Sequence, residues 1–114
     1  DEYGIVLQNE WLYWQNHGWD EQVRKEYTNW VWSDGNHPSI VIWDAINENW
    51  DSYIGNTLIP ELKELDPTRI WDAGYMTSDQ MGTNDEMDEP HPYRALTLMH
   101  SSELNDYFKN NPYN

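Results

Sequence analysis

Short apolar segments alternate with amphipathic segments along the chain. Three apolar segments have the length of β-strands: Gly4 to Glu10, Ile40 to Ile46 and Arg69 to Gly74. We expect the first to be a buried strand that turns polar at its end. Two amphipathic segments between them, Asp20 to Trp32 and Thr57 to Leu65, predict helices. This order predicts an α/β fold with a parallel sheet, right-handed crossovers and helices on its outer face.

Each predicted helix has one apolar face and recognisable ends. Asp20 is the predicted N-cap of the first helix, and Gly35 and Pro38 follow its end. Asp66-Pro67 is the predicted end of the second. The apolar faces consist of Val23, Tyr27, Trp30 and Val31 in the first helix and Leu58, Ile59, Leu62 and Leu65 in the second.

An amide and a carboxyl group follow the second predicted strand. Asn47 and Glu48 stand side by side after the apolar run Ile40 to Trp43, and the third predicted strand also ends in a segment with polar groups, Asp72 to Tyr75. A carboxyl group that is poorly solvated at such a position is a candidate for acid/base chemistry. Capping of the next helix or pairing with an arginine is the structural alternative for Glu48, and a turn that satisfies its own backbone is the alternative for Asn47.

The segment Asn36 to Trp43, followed by Asn47-Glu48, resembles the fourth-strand signature of a group of retaining glycoside hydrolases. This is the group of β-galactosidase, β-glucuronidase and β-mannosidase. The resemblance implies part of a (β/α)8 TIM barrel, in which the predicted strands are the third, fourth and fifth. It also implies that Glu48 is the general acid/base and that Asn47 holds the sugar hydroxyl next to the scissile bond. This chain has Gly35 and Ile46 where the family usually has arginine and glycine, so we expect a distant branch.

The length of 114 residues is short for this fold, since a whole barrel needs ~250 residues. We therefore expect residues 1–114 to be a partial catalytic barrel domain, the central fragment of a longer chain covering about strands three to six. By the resemblance, the nucleophile is a second glutamate on the seventh strand, outside this sequence. The fragment alone is expected to be inactive, and the remainder of the barrel is its expected partner.

Four further residues are candidates for substrate binding. Glu10 ends the first predicted strand and is either a cleft residue or a structural partner. Trp11 follows it, and either a sugar platform or core packing explains this ring and those of Trp14, Trp43 and Trp50. His91-Pro92-Tyr93 resembles a His-Pro-Tyr near the sixth strand of some of these barrels, where His91 and Tyr93 would line the cleft.

Other polar positions favour structural interpretations. His17 and His100 are expected to be solvated. Residues 76–89 are predicted to form a long loop, and its acidic stretch from Asp85 to Glu89 lacks the ligand spacing of a calcium loop. Ser102 to Lys109 is predicted to form a last helix. We expect no metal and no cofactor.

The formal net charge of -15 argues against two kinds of partner. Nucleic acid and anionic membrane surfaces would be repelled. The absence of cysteine excludes thiolate metal sites and a cysteine nucleophile. We expect a carbohydrate substrate and a secreted or periplasmic protein, and homo-oligomerisation is left open. The alternatives to a glycosidase are a non-catalytic carbohydrate-binding protein and a structural fragment of a larger assembly.

Overall fold

The computed structural model describes residues 1–12, 17–49, 51–73, 86–87, 106 and 109. Three parallel strands form one sheet in the order β1-β2-β3. The elements are β1 (Leu7–Glu10), α1 (Asp20–Asp34), β2 (Ile40–Asp44), a π-helical turn (Ile54–Leu58), α2 (Ile59–Leu65) and β3 (Ile70–Asp72). The predicted alternation of strands and helices and the parallel sheet are therefore confirmed.

Several sequence predictions fall outside the described residues. They concern Trp14, Trp50, Tyr75, His91, Tyr93, His100, most of the loop 76–89 and most of the predicted last helix. Asp106 and Lys109 belong to that last segment, and both are helical.

The apolar face of α1 is the predicted one. Val23, Tyr27, Trp30 and Val31 are all buried, as their spacing requires. The prediction of an Asp20 N-cap is wrong. Trp19 occupies the N-cap position and Asp20 is the first residue of the helix, with its carboxylate in contact with His17.

The second helix begins earlier than predicted. Backbone from Ser52 onward is already helical, and the π-helical turn leads into α2. Leu58, Ile59 and Leu62 are buried as predicted, but Leu65 is 47% exposed. Leu65 is the last residue of α2 and borders an open surface cavity beside Trp32, so the predicted burial of this side chain is wrong.

Strand β1 is shorter and more exposed than predicted. Pairing with β2 begins at Leu7, whereas Ile5 and Val6 precede the strand and are exposed. Gly4 adopts a left-handed φ of 68° in a turn closed by its N–H and the Asp1 carbonyl. β1 is an edge strand of the described sheet, so a neighbouring strand, β2, lies along one of its two edges. The predicted burial of β1 is therefore wrong.

The core between sheet and helices is built on three tryptophans. Trp43 and Trp71 are register partners on β2 and β3, fully buried, with ring centroids 5.8 Å apart. Trp30 from α1 packs edge-on against Trp43 at 4.7 Å. Asp66 accepts both buried indole N–H groups, from Trp43 at 2.9 Å through its carboxylate and from Trp71 at 3.1 Å through its carbonyl. Trp43 is therefore a core residue, and the alternative of a sugar platform is wrong for it.

Arg69 fixes the loop that leads into β2. Its guanidinium donates to the carbonyls of Gly35 at 2.8 Å, His37 at 3.1 Å and Ile40 at 2.7 Å, and it pairs with Asp66. The loop before β2, which lacks the family's usual arginine, is thus held by Arg69. A Cβ atom at Gly35 would lie 2.5 Å from the carbonyl oxygen of Val31 in α1, so this position has no room for a side chain.

Within the described ranges, neither helix has the length and apolar character that crossing a membrane requires.

Candidate active site

The carboxyl ends of the three strands lie level with one another. Glu10, Asp44 and Asp72 are register partners across the sheet. The ladder continues one residue further, since Trp11 N–H donates to the Asp44 carbonyl at 2.8 Å and Ala45 N–H donates to the Asp72 carbonyl at 2.9 Å. Three carboxyl residues therefore lie side by side at the end of the sheet where parallel barrels bind their substrates.

Asn47 and Glu48 lie at this end of the sheet, directly after two buried residues. Ala45 and Ile46 are fully buried, Asn47 is half-buried and Glu48 is exposed. The predicted poor solvation of Glu48 is wrong, because β2 ends at Asp44 and the chain has already entered a bend at Glu48. Ile46 stands where the family usually has glycine, and its side chain fills the core.

The backbone of Glu48 is strained. Its φ of 50° makes it the one non-glycine residue with positive φ in the part of the chain that the structure describes. Such a conformation costs of order 1 kcal/mol or more and persists only where neighbouring structure imposes it. Strained residues of this kind are concentrated in active sites and ligand-binding turns. The strain at Glu48 is an observation of the structure that is independent of the sequence motif.

Asp51 closes the turn on its far side. This residue is 7% exposed, and its Oδ1 accepts the N–H groups of Tyr53 and Ile54, each at 3.1 Å. Its carbonyl also accepts the N–H of Gly55 at 3.0 Å. Asp51 thus caps the helical segment that follows the site, satisfying donors that helix starts leave open. The turn that contains Glu48 is fixed between β2 and this cap.

His17 joins the segment after β1 to that cap. Its Nδ1 contacts an Asp51 carboxylate oxygen, and its Nε2 lies 2.5 Å from Asp20 Oδ1. The ring also packs against Tyr53, with centroids 5.2 Å apart. The side chain is 10% exposed, so the expectation that His17 is solvated is wrong. The contact to Asp51 spans 34 residues of sequence.

Two carboxylates control the charge of His17. Burial opposes protonation of the ring, but the hydrogen bonds and negative charges of Asp20 and Asp51 outweigh it and raise the pKa of His17 above 6.5. Because the pKa is higher in the folded state, the resulting stabilisation is fully present below about pH 6.5 and is lost as the pH rises through the raised value.

A His17→Asn variant tests this linkage. We expect the thermal midpoint of the wild type to exceed that of the variant most below pH 6.5, the unperturbed histidine pKa, and the difference to shrink toward pH 9. Differential scanning fluorimetry at matched ionic strength measures it. His37 pairs with Asp1 and is 61% exposed, so His37→Asn is the control and should show a small difference at every pH. A wild-type advantage that grows with pH would contradict the assignment.

Glu10 and Trp11 lie at the same edge of the sheet in different settings. Glu10 is exposed beside the carboxyl end of β2. The Trp11 ring packs against Tyr27 at 4.9 Å and Trp30 at 5.3 Å, as the core-packing alternative predicts. The substrate-binding roles of both residues stay predictions. His91 and Tyr93 lie outside the described residues.

Sequence reasoning missed Asp44, whereas it placed Asp72 at the end of the third strand, and both residues are buried at this end of the sheet. Gln8 donates to Asp44 Oδ2 at 2.8 Å across β1 and β2. The alternation of side chains along a strand could have located Asp44. Trp43 and Trp71 face the helices, so the residues that follow them face the opposite side of the sheet. That side is the interior face of a barrel.

Trp19 is a further side chain at this end of the molecule. It precedes α1, between His17 and Asp20, and its side chain is 82% exposed. Trp32 lies in α1, near the opposite end of the sheet, and is 69% exposed. No group of three or more histidine, aspartate or glutamate side chains within the described ranges could hold a metal ion.

Comparison with known proteins identifies the class. Residues 2–110 match the TIM barrel domain of glycosyl hydrolases family 2, and the chain belongs to this family. A putative β-glucuronidase from Formosa agariphila is 32% identical over 74 residues, which cover 65% of this chain and 6% of that protein. The chain thus spans a small part of the length of this relative. No solved structure matches.

Family membership confirms the resemblance inferred from the Asn47-Glu48 segment. The parallel strands and the helices between them agree with part of a TIM barrel.

Proposed function

We propose that this chain is the central part of the catalytic barrel of a retaining glycosidase, with Glu48 as its general acid/base. One observation carries the proposal: Glu48 occupies a strained turn at the carboxyl end of β2, directly after Asn47. The family and the position on the sheet both favour catalysis there. Capping of the next helix, one of the two structural alternatives for Glu48, is performed by Asp51.

The chemistry requires two carboxyl groups about 5 to 5.5 Å apart. Glu48 would protonate the glycosidic oxygen while a second carboxylate, on sequence outside this chain, attacks the anomeric carbon. The leaving sugar departs as the alcohol, and a covalent glycosyl-enzyme remains. Glu48, now ionised, would then remove a proton from water as that water attacks the anomeric carbon and releases the second carboxylate. Asn47 would donate a hydrogen bond to the hydroxyl beside the reacting bond.

Exposure of Glu48 suits this exchange of protons. A group that must reach the leaving oxygen and later a water molecule has to face the cleft. Substrate binding would then displace water from around the carboxyl group and strengthen its interactions with the reacting atoms. The half-buried position of Asn47 restricts its amide to fewer orientations than an exposed side chain would have.

The stereochemistry of the first product tests the proposal. The complete protein is incubated with aryl glycosides that include a β-glucuronide, which the name of the Formosa agariphila relative suggests, and a β-galactoside. Proton NMR then identifies the anomer before mutarotation. We expect the β-anomer from a β-substrate. Inversion would contradict the mechanism, and sugar binding without turnover would favour a non-catalytic carbohydrate-binding protein.

A Trp19→Ala variant of the complete protein tests whether the exposed indole contributes to substrate binding. Stacked contacts between aromatic rings are worth about 1 kcal/mol, and if the indole makes a contact of that size with the sugar, its loss should raise KM about fivefold with a small change in thermal midpoint. Trp32→Ala is the matched control, because Trp32 is similarly exposed but lies near the opposite end of the sheet. Equal KM values for the two variants would show that Trp19 does not contribute to substrate binding.

A further inference from the structure

We propose that His17 is a positioning residue for the acid/base, which holds the Glu48 turn in place through Asp51. The inference rests on the proposed function of Glu48. Nothing in the family match assigns a role to this histidine. The argument starts from the contacts that join two loops at the carboxyl end of the sheet.

Three contacts connect the start of α1 and the residues just before it with the segment after the Glu48 turn. His17 Nδ1 contacts the carboxylate of Asp51, and the imidazole packs on the Tyr53 ring. The Tyr53 hydroxyl donates to the Asp20 carbonyl at 3.3 Å. His17 also contacts the Asp20 carboxylate, so its ring is held on both nitrogens. This set of four side chains, His17, Asp20, Asp51 and Tyr53, forms a clamp between the two loops.

The clamp acts on Glu48 because Asp51 lies three residues beyond it. On the other side, Ala45 and Ile46 are fixed in the core. The turn between these anchors contains a positive φ at Glu48, which relaxes if either anchor is released. Asp51 Oδ1 caps the following helix while the other oxygen contacts His17, so the position of the cap and the position of the histidine depend on each other.

Burial makes the loss of the contact between His17 and Asp51 costly. The two side chains are 10% and 6% exposed. Removing the ring would leave a buried carboxylate without this partner, and Asp51 would gain solvation by moving. Such a movement would displace the Glu48 turn, and a displacement of about 1 Å can cost 10²-fold in catalysis.

Among the described residues, the ionisable groups that contact His17 are predominantly acidic. Asp20 and Asp51 contact the ring, and Tyr53 packs on it. Arg24 lies 6.0 Å from the Tyr53 ring and is itself paired with Glu61. The protonated ring is therefore the form that both contacting carboxylates favour, and the clamp should weaken as the pH rises.

Substitutions that preserve one nitrogen at a time give the sharpest test, made in the complete protein. Asparagine can place an amide nitrogen near Nδ1 and keep the contact to Asp51, whereas glutamine reaches toward the Nε2 position and Asp20. We expect His17→Gln to lose about 10- to 100-fold in kcat/KM on glycosides with poor leaving groups, and much less on activated aryl glycosides. His17→Asn should retain more activity, with a pH profile that has lost the contribution of the imidazole. His37→Gln, at the opposite end of the strands, should match the wild type.

The same leaving-group series on Glu48→Gln separates the two claims. If Glu48→Gln shows the selective loss and the His17 variants lose activity equally on all substrates, the positioning role is wrong and the acid/base role stands. If Glu48→Gln shows no selective loss, the proposed function is wrong. Should the His17 variants fail to fold, Asp51→Asn is the second test, because it keeps the Oδ1 cap and alters the contact to His17. An equal loss of kcat/KM on all substrates in this variant would overturn the proposal.

Discussion

Replacing Glu48 by glutamine in the complete protein should lower kcat/KM on an unactivated glycoside by about 10² to 10⁴-fold. General acid catalysis contributes a factor of this size, and glutamine keeps the volume of glutamate while supplying no acidic proton. The strained backbone at this position should tolerate the change, since the two side chains differ at one atom. Initial rates on a disaccharide or alkyl glycoside measure the effect.

Glu64→Gln is the matched control for Glu48→Gln. Glu64 is also an exposed glutamate, but it lies on the outer helix α2, away from the carboxyl ends of the strands. We expect this variant to have wild-type rates. Thermal midpoints within a few degrees of the wild type should accompany both substitutions. Wild-type activity in Glu48→Gln would exclude this residue as the acid/base.

Replacing Asp66 by alanine should destabilise the domain by about 3 to 5 kcal/mol. This carboxylate accepts hydrogen bonds from the Trp43 indole and from the hydroxyl of Thr68, and it pairs with Arg69. Its removal leaves a buried indole N–H without an acceptor and a mostly buried guanidinium without its counter-charge. Urea unfolding of the wild type and the variant measures the difference.

Glu61→Ala is the control for Asp66→Ala, because it also breaks a pair with an arginine. Glu61 and Arg24 are each 47% exposed, and such a pair contributes about 0 to 1 kcal/mol. Equal destabilisation in the two variants would contradict the central role of Asp66 in the core.

Asp66 should also contribute to stability at acid pH. Burial opposes its ionisation, but hydrogen bonds from Thr68, Trp43 and Arg69 outweigh burial and lower the pKa of Asp66 to about 2. Its stabilisation is therefore present above about pH 3.8 and is lost as the pH falls through about 2. The destabilisation caused by Asp66→Ala should shrink over that interval.

Local patterns in the sequence predicted the elements that depend on periodicity. The buried stripe of α1 and the parallel order of the strands follow from side-chain spacing, which is a property of each segment alone. The start of the second helix was predicted too late, because the Asp51 cap lies before a π-helical turn whose spacing departs from the helical period. An aspartate just before Ser52 is a helix-start pattern that could have located it.

Contacts between distant segments were beyond the reach of such patterns. The His17 contact with Asp51, the Arg69 contacts with the loop before β2 and the exposure of β1 depend on how elements assemble. The candidate site was found differently. Asn47-Glu48 was located by its resemblance to a family to which the chain belongs, whereas the solvation of Glu48 was set by where β2 ends.

The dependence of kcat/KM on leaving-group acidity, compared between the wild type and Glu48→Gln in the complete protein, tests the central claim most directly. A series of aryl glycosides of one sugar is used, from acidic to weakly acidic phenols. If Glu48 donates the proton, the wild type should vary little across the series and the variant should fall steeply as the phenol becomes less acidic. Parallel dependences for the two proteins would show that Glu48 is not the acid/base.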